Sequence, residues 1–304
     1  DLLIMETPQI QDEDAGKTLA AIVSFNGGNN TLRLIDRLLL MVGCVYIVDN
    51  GSSAYSKNLL ATRCADSNVE ILFLPENCGI GAALNFALEY AHDHNYKWII
   101  TFDQDSMPSL TMLQNFFNFH RMQPNSFFFT PRLVSHKHSI VDSIEYSNSV
   151  VPYAITSGNM FSVEEALKVG GYDESYFIDC VDFEFSLRLR QGGNKIYRVG
   201  SAAMAHGVGD ETSIPTFLKR FYTSHSATRR YYQHRNLIFI IRSYSTTFPY
   251  FCLKLLVGQF IQVLMLVAIE NNRKENVRNI LLGLRDGFLG RGGRLRLRHE
   301  IDNH

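Results

Sequence analysis

The sequence predicts an α/β fold, a mostly parallel, doubly wound sheet flanked by helices and followed by a helical C-terminal extension. Three observations carry that expectation. Short apolar runs rich in β-branched residues alternate with stretches of helical period as far as residue 121, the pattern of βαβ units. A polar cluster follows each apolar run, and open α/β sheets bind ligands at the carboxyl ends of their strands. With 46% hydrophobic and 19% charged residues, a chain of 304 residues can build a substantial core, which excludes disordered, collagen-like and low-complexity classes.

The elements follow in order. Residues 1–17 are polar and acidic and form a loose leader. Strands are expected at 19–25, 45–48, 69–74 and 98–102, with helices near 29–40, 55–65, 80–94 and 109–121. Past residue 122 the pattern is less regular. A turn at Thr156-Ser157-Gly158-Asn159 precedes a helix near 162–169, and Gly170-Gly171 stops it. A carboxylate-rich helix start then leads to about Gln191, a strand covers 195–199, and residues 214–290 read as helical. No internal repeat is present.

The net charge of −1 gives no argument for nucleic-acid binding, but it conceals an asymmetry. Residues 1–218 hold 14 Lys and Arg against 25 Asp and Glu, whereas residues 219–304 hold 15 against 5. A basic tail on an acidic body suits anionic head groups, or attraction to the body itself. Five widely spaced cysteines without a Cys-x-x-Cys pair argue against a disulfide framework or a zinc ribbon, and a reducing, cytosolic setting is expected. Residues 248–269 are long and apolar enough to span a bilayer. Lys254, Gly258 and Gln262 nevertheless recur every four residues, so the expectation is a helix lying in the interface or packed on the body.

The chemistry is concentrated at the strand ends. Ser24-Phe25-Asn26, Asp49-Asn50-Gly51-Ser52, Asn77-Cys78-Gly79 and Asp103-Gln104-Asp105-Ser106 would share one rim. Gly79 and Gly81 open a helix whose backbone amides can approach a phosphate. Leu84 occupies the third position of GxGxxG, which disfavours a dinucleotide site. Asp103 and Asp105 offer hard oxygen ligands for Mg²⁺ or Mn²⁺ with positions left open for substrate phosphates, while Asp and Ser also suit a plain turn. Asp182 is placed to serve as a general base, and Glu184, two residues on, points elsewhere on the helix as an orienting or structural partner. His206 lies in a Gly-flanked loop, as a structural residue or as a metal ligand.

Taken together, IVSFN, VDNGS, NCGIGAALN, FDQDS, SGNMF, DCVDFEFSLRLRQGG and AHGVG stand in the order in which they resemble the inverting family 2 glycosyltransferases of the GT-A fold. The resemblance covers residues 18–210 and is greatest to the bacterial rhamnosyltransferase branch, which shares FDQDS, the FID-x-VD-x-E phrase and an RN-containing C-terminal helical region. It implies a catalytic domain over 18–213 and a basic, amphipathic helical module over 214–304 that meets a membrane surface, an acceptor or another copy of the chain. By the same resemblance Asp49, with Ser24 and Asn26, contacts the nucleobase and ribose, and Asn77 with Gly79 borders the nucleotide. Asp105 is the direct metal ligand, Asp103 reaches the donor and the metal, and His206 matches a third ligand position. Asp182 matches the base that deprotonates the acceptor. Val181 stands where an acidic residue commonly precedes that base.

The expected reaction moves L-rhamnose from dTDP-L-rhamnose onto a cell-surface polysaccharide or lipid-linked glycan, with Mn²⁺ or Mg²⁺, at the inner face of a bacterial membrane. A UDP-hexose donor keeps the same mechanism. A nucleotidyltransferase would ordinarily carry a basic residue in its first glycine-rich loop, and SFNGGNN has none. A non-catalytic sugar-nucleotide-binding protein is the remaining alternative, and a homo-oligomer is compatible with each.

Overall fold

The computed structural model describes residues 13–63, 68–134, 147–206, 225–270 and 272–295, with Glu13 and His206 described by their backbones alone. The contacts divide the chain into two units, residues 1–172 with 185–208 and residues 173–184 with 209–304.

The first unit is built on a nine-stranded sheet. The strands are β1 (Thr18–Ser24), β2 (Cys44–Asp49), β3 (Val69–Phe73), β4 (Trp98–Asp103), β5 (Ser106–Pro108), β6 (Phe128–Val134), β7 (Ser149–Val151), β8 (Asn159–Ser162) and β9 (Ile196–His206). Their order is β3-β2-β1-β4-β8-β6-β9-β5, with β7 on β9. Strands β3, β2, β1 and β4 run parallel. Their nearly unbroken apolar sequences fit strands covered on both faces: Leu19 to Ile22 and Val45 to Val48 are buried throughout. Beyond β4 the sheet turns mixed, with β8 antiparallel to β4 and β6, and β9 parallel to β6.

The helices are α1 (Glu13–Gly16), α2 (Asn29–Leu39), α3 (Ala54–Ala61), α4 (Ile80–Asp93), α5 (Met112–Met122), α6 (Val163–Lys168) and α7 (Val181–Gln191). Each of the first four predicted helices is found within a few residues of its expected bounds. On α2 the buried Thr31, Leu34, Ile35 and Leu38 form one stripe at helical spacing. Ser162 caps α6 by accepting a hydrogen bond from the Glu165 amide at 3.4 Å. The core gathers Ile22, Ile47, Trp98, Phe102, Phe116 and Phe129.

Strand β9 is twice as long as the sequence suggests. The run Gly200-Ser201-Ala202-Ala203-Met204 has no β-branched residue and little intrinsic strand preference. Partners β6, β5 and β7 hold it in the sheet regardless.

In the second unit the expected helical region appears as α8 (Ala227–Tyr244), α9 (Pro249–Ile269) and α10 (Arg273–Phe288). Helices α8 and α10 pack closely through Gly283 and Gly287. A Cβ at Gly283 would stand 2.3 Å from the Tyr231 carbonyl oxygen, and one at Gly287 would stand 2.9 Å from that of Arg235. Helix α9 is different. Only Cys252 and Leu266 are buried on it, while Tyr250, Leu256, Phe260 and Leu264 are exposed together with Lys254 and Gly258.

Candidate active site

The parallel register aligns three strand ends. Ser24 pairs with Asp49, and Val23 pairs with Asp103, so the polar clusters after β1, β2 and β4 emerge side by side. This rim is stitched by side chains from neighbouring clusters. Gln104 Oε1 accepts from the Ser24 hydroxyl at 3.2 Å and from the Phe25 amide at 2.9 Å, and its Nε2 donates to the Phe25 carbonyl at 3.2 Å. The Asn26 amide donates to Ser52 Oγ at 2.8 Å, and Asn26 Oδ1 accepts from the Ser53 amide at 2.9 Å. Asn26 holds φ 53 to do so, a left-handed conformation that Asn tolerates better than most residues.

Asn50 ties the rim to the loop after β3. Its Oδ1 accepts from the Cys78 amide at 2.9 Å, and its Nδ2 donates to the Gly79 carbonyl at 3.2 Å. Asn77 Oδ1 accepts from the Gly79 amide at 3.0 Å just before α4 begins. The approach of the two loops leaves no room at Gly51, where a Cβ would lie 2.3 Å from the Glu76 carbonyl carbon and φ is +78. Ser24, Asn26, Asp49, Asn77, Gly79 and Asp103 therefore belong to one connected cluster at the strand ends, with Ser24 and Asp49 buried beneath its edge.

Asp49 is the unusual member. It is fully buried, its Oδ1 accepts from the Ser52 amide at 3.1 Å, and its Oδ2 is buried without a hydrogen-bond partner. A buried carboxylate oxygen left unmatched costs about 1–3 kcal/mol or more, so this oxygen calls for a water, an ion or a ligand to meet it.

At the end of β4 the carboxylates are less enclosed. Asp103 is half-buried and Asp105 is exposed. The Asp103 amide donates to Ser157 Oγ at 3.1 Å, and Ser157 and Ser106 share a short hydrogen bond between their hydroxyls. Ser157 and Gln104 thus frame the Asp-x-Asp turn. The sequence marks the Ser157 segment as a turn and as the SGNMF motif, but nothing in it assigns Ser157 or Gln104 this framing role.

The hard oxygen donors of Asp103 and Asp105, at a strand end open to solvent, are chemically suited to Mg²⁺ or Mn²⁺. The register sets the His206 backbone opposite Ser106, the residue after Asp105. The expected third ligand, the His206 side chain, lies outside the described residues. Among the described residues no three His, Cys, Asp or Glu side chains converge as a metal site.

The second acidic group lies in the other unit, at the start of α7. Asp182 is half-buried, and its Oδ1 accepts from the adjacent Phe183 amide at 2.9 Å. Glu184 is buried and accepts from the Tyr244 hydroxyl at 2.7 Å, which gives it a structural partner as expected. Burial first, then the charges of Asp179 and Asp182, push the Cys180 thiol well up, so it stays protonated. Burial lowers the Arg229 guanidinium, yet its bonds to Asp179 hold it above the usual arginine value.

Residues 20–142 match the model of the glycosyl transferase family 2. The chain is 28% identical over 293 residues to the dTDP-rhamnosyl transferase RfbF of Shigella flexneri, across 89% of this chain and 95% of that one. Among solved structures it resembles a Pyrobaculum calidifontis mannosyltransferase in complex with GDP-Man and Mn²⁺, with TM-score 0.55, 11% identity and coverage of 90% and 87% of the two chains. It also resembles residues 1–349 of S. aureus TarS in complex with UDP-GlcNAc, with TM-score 0.52, 12% identity and coverage of 90% and 92%. GalNAc-T7 with UDP, GalNAc and Mn²⁺ is similar at TM-score 0.55 and 13% identity, over 74% of this chain, which spans about half of that one, 51%. Sheet topology and these likenesses show a GT-A-type fold whose residues 20–142 resemble the glycosyl transferase family 2, and with the rhamnosyl transferase relative they support a nucleotide-sugar-dependent glycosyltransferase.

Proposed function

We propose that the chain is a metal-dependent, inverting rhamnosyltransferase that uses dTDP-L-rhamnose and a cell-surface glycan or lipid-linked glycan acceptor. The observation that carries the nucleotide assignment is Asp49, whose unpartnered Oδ2 on the rim suits the N3–H of thymine or uracil. The named relative, a dTDP-rhamnosyl transferase over nearly its whole length, favours thymine and rhamnose. Because uracil presents the same N3–H, a UDP-hexose is the second reading.

In this reading Ser24 and Asn26 border the ribose, and Asn77 with Gly79 borders the nucleotide. The N-terminus of the 14-residue α4 turns backbone amides and a positive dipole end toward the diphosphate. Asp105 would hold the metal with His206, and Asp103 would reach both metal and donor. A bound Mn²⁺ or Mg²⁺ offsets the charge that develops on the departing diphosphate. Asp182 takes the proton from the acceptor hydroxyl. The acceptor oxygen then bonds to the anomeric carbon as the bond to the diphosphate breaks on the opposite face, which inverts that centre.

The exposed face of α9 supports peripheral attachment to the inner face of a bacterial cell membrane. Arg273, Lys274 and Arg278 gather beside Val267 and Leu281, so cations flank apolar surface. Arg285, on the same helix as these cations, pairs with Asp286 at 2.8 Å.

The test is a donor panel of dTDP-rhamnose, UDP-glucose, UDP-galactose and UDP-N-acetylglucosamine with Mn²⁺ or Mg²⁺, read by thermal shift and turnover. A donor at 100 times its Kd stabilises by about 2.7 kcal/mol. Stabilisation by dTDP-rhamnose that needs metal and disappears in Asp105→Ala is expected, with turnover lost in Asp182→Asn. A response to a UDP-sugar alone would overturn the rhamnosyl reading, and full turnover in Asp182→Asn would remove the base.

A further inference from the structure

The four residues that lead into the Asp182 helix have a backbone that their own sequence does not favour. Phe177 has φ 61 and ψ −64, and the Ile178 amide donates to the Tyr176 carbonyl at 2.7 Å across it, which is a γ-turn of the rare, strained hand. Asp179 and Cys180 follow at φ 63 and 62. None of the three is glycine. A γ-turn at Phe177 and two consecutive left-handed residues persist only where the surroundings over-determine them.

The surroundings that do so are two adjacent residues of α8. Asn236 Nδ2 lies 2.9 Å from the Tyr176 carbonyl, 2.8 Å from that of Ile178 and 2.7 Å from that of Asp179. The amide is oriented by Arg235, whose Nε donates to Asn236 Oδ1 at 3.0 Å, so Nδ2 must face the carbonyls. Arg235 Nη2 donates to the Ser175 and Tyr176 carbonyls at 2.9 and 2.8 Å, and its Nη1 donates to that of Gly293. Both side chains are fully buried. Tyr232 stacks on Phe177 with ring centroids 5.1 Å apart, and Arg229 grips Asp179 through both of its carboxylate oxygens.

We propose that Arg235 and Asn236 are positioning residues for the base, holding residues 176–180 in the conformation that aims Asp182 from the first turn of α7. The inference rests on the reading of Asp182 as the base. A less costly solution for stability alone would place glycine at 179 or 180. The chain instead commits two buried polar side chains and six hydrogen bonds to the carbonyls of this segment and its neighbour Gly293. The RN pair therefore reaches the reaction through backbone geometry, touching neither donor nor acceptor.

The decisive variant is Asn236→Asp, which keeps the shape and the acceptor for Arg235 but sets a carboxylate oxygen against three carbonyls. Its kcat with dTDP-rhamnose and acceptor is expected to fall by about 10²-fold, the scale of a misplacement near 1 Å. Donor KM and dTDP binding should stay near wild type, and amide exchange across 176–184 should accelerate. Ile280→Ala is the control for general loosening, because Ile280 packs on Leu266 away from this segment. It should lower the unfolding midpoint while leaving kcat unchanged. Wild-type kcat in Asn236→Asp beside an inactive Asp182→Asn enzyme overturns the positioning role, as does an equal loss of kcat in Ile280→Ala. An active Asp182→Asn enzyme overturns the base assignment and this inference with it.

Discussion

Replacing Asp49 by Asn separates stability from binding. In the free protein Oδ1 accepts from the Ser52 amide at 3.1 Å, and Asn retains that acceptor. Oδ2 has no hydrogen bond to lose, and the substitution removes a charge from a fully buried position. Stability is therefore expected to hold or rise. With a pyrimidine bound, the asparagine amide would point a donor at the N3–H donor. A hydrogen bond to a charged group contributes about 1.5–3 kcal/mol, and since 1.4 kcal/mol is tenfold, affinity for dTDP should drop roughly 10- to 150-fold. Titration calorimetry with dTDP and UDP, paired with chemical unfolding, measures both. A fall in stability of more than about 1 kcal/mol would reveal a structural partner for Oδ2. Unchanged dTDP affinity would refute the contact with the base.

Two further expectations follow from the second unit. His234 is buried, with Nδ1 2.8 Å from the Arg230 carbonyl and Nε2 unpartnered. Burial, aided by the Arg230 charge and opposed by that carbonyl, lowers its pKa from 6.5. Below pH 6.5 the unfolded chain thus binds the proton first, so this stability is whole above that pH and is lost as pH falls toward the depressed folded value. His234→Phe should flatten the acid limb of an unfolding-midpoint profile, while His120 and His225, lowered likewise, keep part of it; an unaltered slope would refute the assignment. For α9, liposomes rich in anionic lipid should float the full chain, and Arg273→Glu with Lys274→Glu should weaken flotation at physiological salt. Flotation indifferent to lipid charge, or a dimer that masks the apolar face, would count against the membrane reading.

The legibility of this chain changes near residue 122. Up to that point the four parallel strands are largely apolar and polar residues follow their ends, so local pattern and tertiary need agree, the short β5 excepted. The four rim clusters are legible in the chain because strands that run parallel put all their carboxyl ends on one edge of the sheet. Past residue 122 that agreement ends. The second half of β9 is recruited by β6 and β5 on either side despite weak local preference, and β8, β6 and β9 extend the sheet in mixed directions.

The α/β class, the rim of Ser24, Asp49, Asn77 and Asp103 and the family resemblance are legible along the chain, because period, turn chemistry and motif order are local properties. Long-range packing is what brings Gln104 and Ser157 to frame the carboxylates, sets Tyr244 on Glu184, and lets Asn236 hold left-handed backbone on non-glycine residues about 60 positions earlier. Those contacts are long-range hydrogen bonds, and nothing in the spacing of a chain specifies which distant carbonyl a buried amide will meet.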